Sequence, residues 1–200
     1  ITNNASRINL STVNGVKVIL GNGENVQCTF VNTKITDNTR TQGFYKNHVS
    51  FTTSIFNDPK FVDDSIGVKA GNFTVGSGSH IKVVNGTDKL FGAWLSSSPK
   101  LSNNQKRTIA DDPARITLLH QLITAKINCA TFGCSAATKA LIQAGDIAFD
   151  TGVIGTLTSQ LDTYNNSGET SIPAGYPALG TGKIKPTNSG VSFWDNLFTS

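Results

Sequence analysis

Two hundred residues are enough for one domain with a real core, or for one domain and a small appendage. The balance of 17 basic against 13 acidic residues is mild, and Lys and Arg are scattered rather than gathered into a stripe, so no nucleic-acid partner is expected. No apolar run approaches the roughly 20 residues of a membrane helix, so no membrane insertion is expected either.

The first elements read as β. In residues 1–34, Ile8 and Leu10 alternate in a first strand. Val16, Val18 and Leu20 alternate in a second after an Asn14-Gly15 turn, and Val26, Cys28 and Phe30 in a third after Gly21-Asn22-Gly23. Each strand carries one apolar face, and a ribbon of this kind needs something apolar to cover it. Residues 35–42 read as a polar linker, and residues 43–200 as an α+β body.

The body is predicted to open with a short helix from Asn47 to Phe56 that buries Val49, Phe51 or Thr52, Ile55 and Phe56, and that Asp58-Pro59 stops. From Phe61 to Asn85 the pairs Ile66/Val68, Phe73/Val75 and Ile81/Val83 alternate between turn-rich segments, which predicts two or three short strands. Asp88 is placed as the cap of a helix running through Leu95 with Leu90, Phe91 and Trp94 on one face, ended by Pro99. The clearest helix begins at Asp111 or Asp112, which caps it, with Pro113 at the first helical position. Its stripe is Ile116, Leu119, Ile123 and Ile127, widened by Leu122. Ser135 begins the next helix, with Leu141, Ala144 and Ala148 inward. Thr151 begins a third, with Ile154, Leu157, Leu161 and Tyr164 inward and Gly168 closing it. The Pro- and Gly-rich remainder is an extended tail whose end, Val191 to Phe198, has enough aromatic surface to dock on the body.

The absence of Met and the start at Ile1 fit a processed product or an excerpt, and processing fits export. Abundant Asn, Thr, Ser and Gly with few charges is a composition common among extracellular surface proteins. Sequons stand at Asn4, Asn9, Asn72, Asn85 and Asn165, the candidate glycan acceptors. Cys129 and Cys134 flank Thr131-Phe132-Gly133, where the glycine lets the chain turn back, so a local disulfide is the favoured reading over two buried thiols. A zinc pair fits less well, since His48, His80 and His120 stand far apart; Cys28 is left without a local partner.

For catalysis, His48 as base with Lys46 beside it is the one tempting arrangement. It lacks a G-x-S-x-G elbow, an activated Cys or a carboxylate dyad, so the chain is read as no enzyme and no cofactor is assigned. Asp63-Asp64 and Asp111-Asp112 lack the spacing of a calcium loop, and capping explains the second pair more simply, so no metal site is assigned.

Several of these stretches carry a resemblance. Thr41-Gln42-Gly43-Phe44-Tyr45-Lys46-Asn47-His48 resembles the Thr-Gln-Gly-Phe-Trp-(Lys/Gln)-x-His signature of a family of secreted archaeal and bacterial surface proteins, with Tyr45 where Trp is usual. The likeness continues at Leu90-Phe91-Gly92-Ala93-Trp94, Asn128-Cys129-Ala130-Thr131-Phe132-Gly133-Cys134, Tyr164-Asn165-Asn166-Ser167-Gly168 and Phe193-Trp194-Asp195. Val26-Gln27-Cys28-Thr29-Phe30-Val31-Asn32-Thr33 is similar to the last strand of small β-sandwich modules that stand in tandem in such proteins. The resemblance implies a cell-surface location. It also makes Lys17 and Asn32 candidates for the Lys–Asn isopeptide bond that some of those modules close.

The expected function is an extracellular structural subunit of a surface filament or pilus-like fibre. The apolar residues of the arm, Ile8, Leu10, Val16, Val18, Leu20, Val26, Cys28 and Phe30, would complete a sheet on the next copy, so the partners are copies of the chain itself and, through the sequons, glycans. The alternative is a monomeric adhesion or binding module at the end of a stalk protein.

Overall fold

The structure, a computed structural model, describes residues 7–9, 17–19, 23, 38–78, 81–168, 171–185 and 188–197. The chain divides into two compact units, residues 1–34 and residues 35–200.

In the first unit, β1 (Arg7–Asn9) pairs antiparallel with β2 (Lys17–Ile19), and Ile8 stands opposite Val18. Both expected strands are therefore present as backbone. The third, with Val26, Cys28 and Phe30, lies outside the described residues, as do Leu10, Val16, Leu20, Asn32 and Asn4.

The second unit is mixed α and β. Thr41 caps α1 (Gln42–Asn47) by accepting from the N–H of Phe44, and α2 (Val49–Asn57) follows with Phe51, Thr52, Ile55 and Phe56 buried. Helix thus begins five residues earlier than the expected Asn47. Of the expected linker, residues 38–42 belong to the body: Asn38, Thr39 and Arg40 are buried, and Gln42 opens α1.

A 3-10 turn (Asp64–Ile66) leads into β3 (Val68–Lys69), β4 (Asn72–Val75) and β5 (Lys82–Val84), an antiparallel sheet in the order β3-β4-β5. Phe73 and Val75 face the core as expected, but β5 is turned over. The register pairs Phe73 with Val84 and Val75 with Lys82, so Val84 and Lys82 are buried while Ile81 and Val83 are exposed. The Lys82 stem lies inside and its ammonium escapes to the carbonyl of Asn196 at 2.8 Å, with the Phe193 ring 4.1 Å away.

α3 (Thr87–Leu95) buries Leu90, Gly92, Ala93 and Trp94. Its cap is Gly86, and Asp88 lies in its first turn. α4 (Asp112–Phe132) is the central element, packed against α1, α3, α5 (Ala136–Thr151) and α6 (Leu157–Ser167). From Leu122 to Cys129 it is consequently buried all round, including Thr124, Lys126 and Asn128, and not along one stripe. Neither aspartate at its start caps it by side chain: Asp111 and Asp112 face the Arg115 guanidinium at 4.0 and 3.8 Å. Ser135 does cap α5, accepting from the N–H of Thr138. The inward face of that helix is Ile142, Gly145, Ala148 and Phe149, with Leu141 and Ala144 half-buried. Thr151 ends α5 and does not begin α6, because Gly152 in the left-handed region closes the helix there with its N–H on Ala148.

The tail returns to the body. Its residues 180–184 run beside the α1–α2 junction, with Val49 N–H on the Gly182 carbonyl at 3.2 Å and Ile184 N–H on the Lys46 carbonyl at 2.9 Å. α7 (Asn188–Ser192) then packs on α3. The close approach requires glycine, since a Cβ on Gly92 would collide with the backbone of Gly190. Trp194 and Leu197 are buried behind it.

Candidate functional site

The motif residues converge on the middle of the body. Asn128, projecting from α4, is fully buried and uses all four of its hydrogen-bonding positions. Its Oδ1 accepts from the Tyr45 hydroxyl at 2.7 Å and the Arg40 N–H at 2.8 Å. Its Nδ2 donates to the Arg40 carbonyl at 2.9 Å and to Asn165 Oδ1 at 3.0 Å. Asn165 in turn donates to the carbonyl and the Oε1 of Gln121, each at 3.0 Å, and Gly168 N–H donates to Thr39 Oγ1 at 2.8 Å. One amide therefore joins the segment before α1, α1 itself, α4 and α6.

The aromatic residues continue this cluster. Tyr45 stacks on Trp94 with ring centroids 5.7 Å apart and planes 4° from parallel, and Trp94 Nε1 donates to Thr124 Oγ1 at 3.1 Å. Burial, reinforced by the neighbouring Tyr164, holds the Tyr45 phenol well above its ordinary pKa, so it is a neutral donor. Phe44 lies edge-on to Tyr45 and Phe51 and beneath the Arg40 guanidinium, 5.2 Å from its ring centre. In the tail, Trp194 Nε1 donates to the Lys89 carbonyl at 2.8 Å, and the Asp195 carboxylate accepts from the N–H and hydroxyl of Ser102. Arg107 donates to the carbonyls of Trp194 and Asp195 at 3.1 and 3.2 Å. The motif pieces are thus partners of one another or pins between elements.

Cys129 and Cys134 are bridged, with Cα atoms 4.8 Å apart, across the turn at Gly133, whose φ of 79° suits glycine. His48 sits between α1 and α2; its Nδ1 meets the Gly180 carbonyl at 3.1 Å and its ring lies 4.5 Å from that of Phe44. Asp63 caps the 3-10 turn onto Ser65 and pairs with Lys139 at 2.8 Å, separately from Asp64. Among the described residues no three His, Cys, Asp or Glu side chains come together as a metal set. His80 is outside the described residues.

The sequon at Asn165 is not an acceptor in the folded protein, because its amide is buried and hydrogen-bonded at both ends. Asn85 is exposed and Asn72 half-buried. The unforeseen charged centre is Lys126, fully buried, which donates to Asp146 Oδ2 and to the Ile66 carbonyl at 2.7 Å each, while Gly76 N–H donates to Asp146 Oδ1 at 3.0 Å. No helix among the described residues is long and apolar enough to cross a membrane. Comparison with protein-family models, with curated proteins and with solved structures found no match.

Proposed function

We propose that the chain is an extracellular structural subunit of a surface filament, in which residues 1–34 of one copy complete a sheet on the next and residues 35–200 form the repeating body. On this reading the arm is a fragment of a sandwich, the body belongs with the surface proteins whose signature it resembles, and it is not an enzyme. The observation that carries the reading is the division of the chain. Residues 1–34 are a unit apart from the body, and the strands described in it are a two-stranded ribbon, which is marginal in water without a covering surface. A disulfide in the body suits an oxidising compartment. The motif residues hold one another in place, as a scaffold needs, and Asn85 offers an exposed sequon.

An arm that lends its apolar face to a neighbour gains main-chain hydrogen bonds and roughly 1.5–3 kcal/mol for each large side chain buried. Sedimentation of the native chain should therefore show polymers that persist on dilution, and a chain lacking residues 1–34 should sediment as a folded monomer. A full chain that stays monomeric at high concentration, with its arm protected from proteolysis, would remove the filament reading in favour of a monomeric surface module.

A further inference from the structure

A half-open pocket of about 300 Å³ lies in the body between the end of α2, the last turn of α4 and residues 174–177 of the tail. Ile55, Phe61, Ala130 and Pro177 give it apolar walls, and Asp58, Lys60, Thr131 and Tyr176 its polar ones. That volume is at the small end for ligand sites, so an occupant is a compact molecule.

The electrostatics of the pocket favour one sign. Two helices end at it, α2 at Asn57 and α4 at Phe132, and each C-terminus carries a partial negative charge of about one half. The Asp58 carboxylate adds a full one, and only one of its oxygens is tied down, accepting from the N–H of Lys60 at 2.8 Å. The field is felt by the Tyr176 phenol, which burial and then the Asp58 carboxylate push above its ordinary pKa. Among the described residues the sole cation in the lining is Lys60, and it is exposed.

The same lining narrows the chemistry. Tyr176 is held as a wall by its hydroxyl, which donates to the Thr131 carbonyl at 2.5 Å, and its ring lies against Phe132 with centroids 5.3 Å apart. Thr131 lines the same wall, and its Oγ1 is closed off from solvent, so what it offers an occupant is not a free hydroxyl. A hard metal ion needs about six to eight oxygens and finds one carboxylate, and an anion meets the negative helix ends. A cationic head meets the carboxylate and the aromatic ring, with the exposed Lys60 ammonium as the one opposing group.

We propose that this pocket binds a small organic ammonium ion, with Asp58 as counter-ion and Tyr176 as the wall on which its alkyl groups pack. This site is independent of assembly through the arm. Choline is the probe: the isotope-labelled full chain is titrated with choline chloride at constant ionic strength and followed by amide NMR, with glucose and acetate in parallel. Saturable shifts confined to Ala130, Thr131, Gly175 and Tyr176 are expected with choline alone. D58N keeps an oxygen to accept the Lys60 N–H and so keeps the loop, and it should weaken binding about tenfold, as loss of a close charge contact does. K60Q, altering an exposed side chain, should tighten binding. An absence of saturation, equal binding of glucose, undiminished binding by D58N, or no gain from K60Q would each overturn the assignment.

Discussion

Lys126 and Asn128 stand two positions apart on α4, so their side chains leave it about 200° apart and enter opposite sides of the core. Both are fully buried and both bind three elements together, yet by different means. Asn128 is neutral, and its four partners satisfy it without any charge being taken out of water. Lys126 and Asp146 each carry a desolvation cost. Burial pushes the Lys126 ammonium below its ordinary pKa and the Asp146 carboxyl above its own, while each partner pulls the other back. The contrast teaches that a buried polar group can be a net gain in one direction and a near break-even in another on the same helix turn.

The largest effect is expected at the amide. In N128A the Tyr45 hydroxyl, the Arg40 N–H and carbonyl, and Asn165 Oδ1 lose a partner together, in a site closed to water. With about 1–3 kcal/mol for each orphaned group and partial relaxation, a loss of about 3–5 kcal/mol is expected in denaturant unfolding. Y45F removes only one of those bonds and should cost about 1 kcal/mol. If N128A costs no more than Y45F, the network is not the common tie described above.

The charged side should behave otherwise. K126M leaves Asp146 facing Gly76 N–H alone, and breaking a buried pair from one end costs about 3–5 kcal/mol. The Asp146 side chain keeps 13% of its surface exposed, which lets water soften the loss towards the lower figure. K126M/D146L should then recover most of the stability, since an apolar pair of similar volume carries no desolvation cost. A double variant no better than the single one would show that the ion pair is a net gain after all.

How much of this was legible depends on what each residue faces. Ser135 as a cap, the Phe73/Val75 alternation and the turn at Gly133 are local signals, and the structure agrees with them. α1 is hidden in the sequence because Gln42–Asn47 has no apolar period and contains Gly43. The hydroxyl of Thr41, three residues before Phe44, was the available sign. The sequence points to the wrong face of β5 because Ile81 and Val83 are its more hydrophobic pair, whereas the register with β4 decides which side chains turn inward. The roles of Lys126, Asn128 and Asn165 were illegible for one reason: a polar residue on a surrounded helix looks like a solvent face until its partners, 20 to 88 residues away, are known. The motifs marked where the site lay, but only the packing shows that Tyr45, Asn128 and Asn165 meet.

The smallest effect sharpens the comparison at the surface. Asp63 and Lys139 form an ion pair nearer the surface, with side chains 14% and 35% exposed, at 2.8 Å. Burial pushes the Asp63 carboxyl up, but the Lys139 ammonium and the hydroxyl and N–H of Ser65 outweigh it and hold the carboxyl below its usual range. A depressed carboxyl stabilises the fold above its unfolded pKa of about 3.9, and that contribution is lost as pH falls through the lower folded value. Asp146 has the opposite sign. Its raised carboxyl takes a proton more readily in the fold, so stability gained from that proton grows as pH falls from the raised value towards the unfolded one. In D63N the first contribution is gone and the second remains. Thermal unfolding of wild type and D63N should therefore differ by well under 1 kcal/mol at neutral pH, as partly exposed pairs do, and the two curves should converge below pH of about 4. A difference that stays constant through the acid range would mean that Asp63 acts through its cap on Ser65, and that Lys139 contributes nothing.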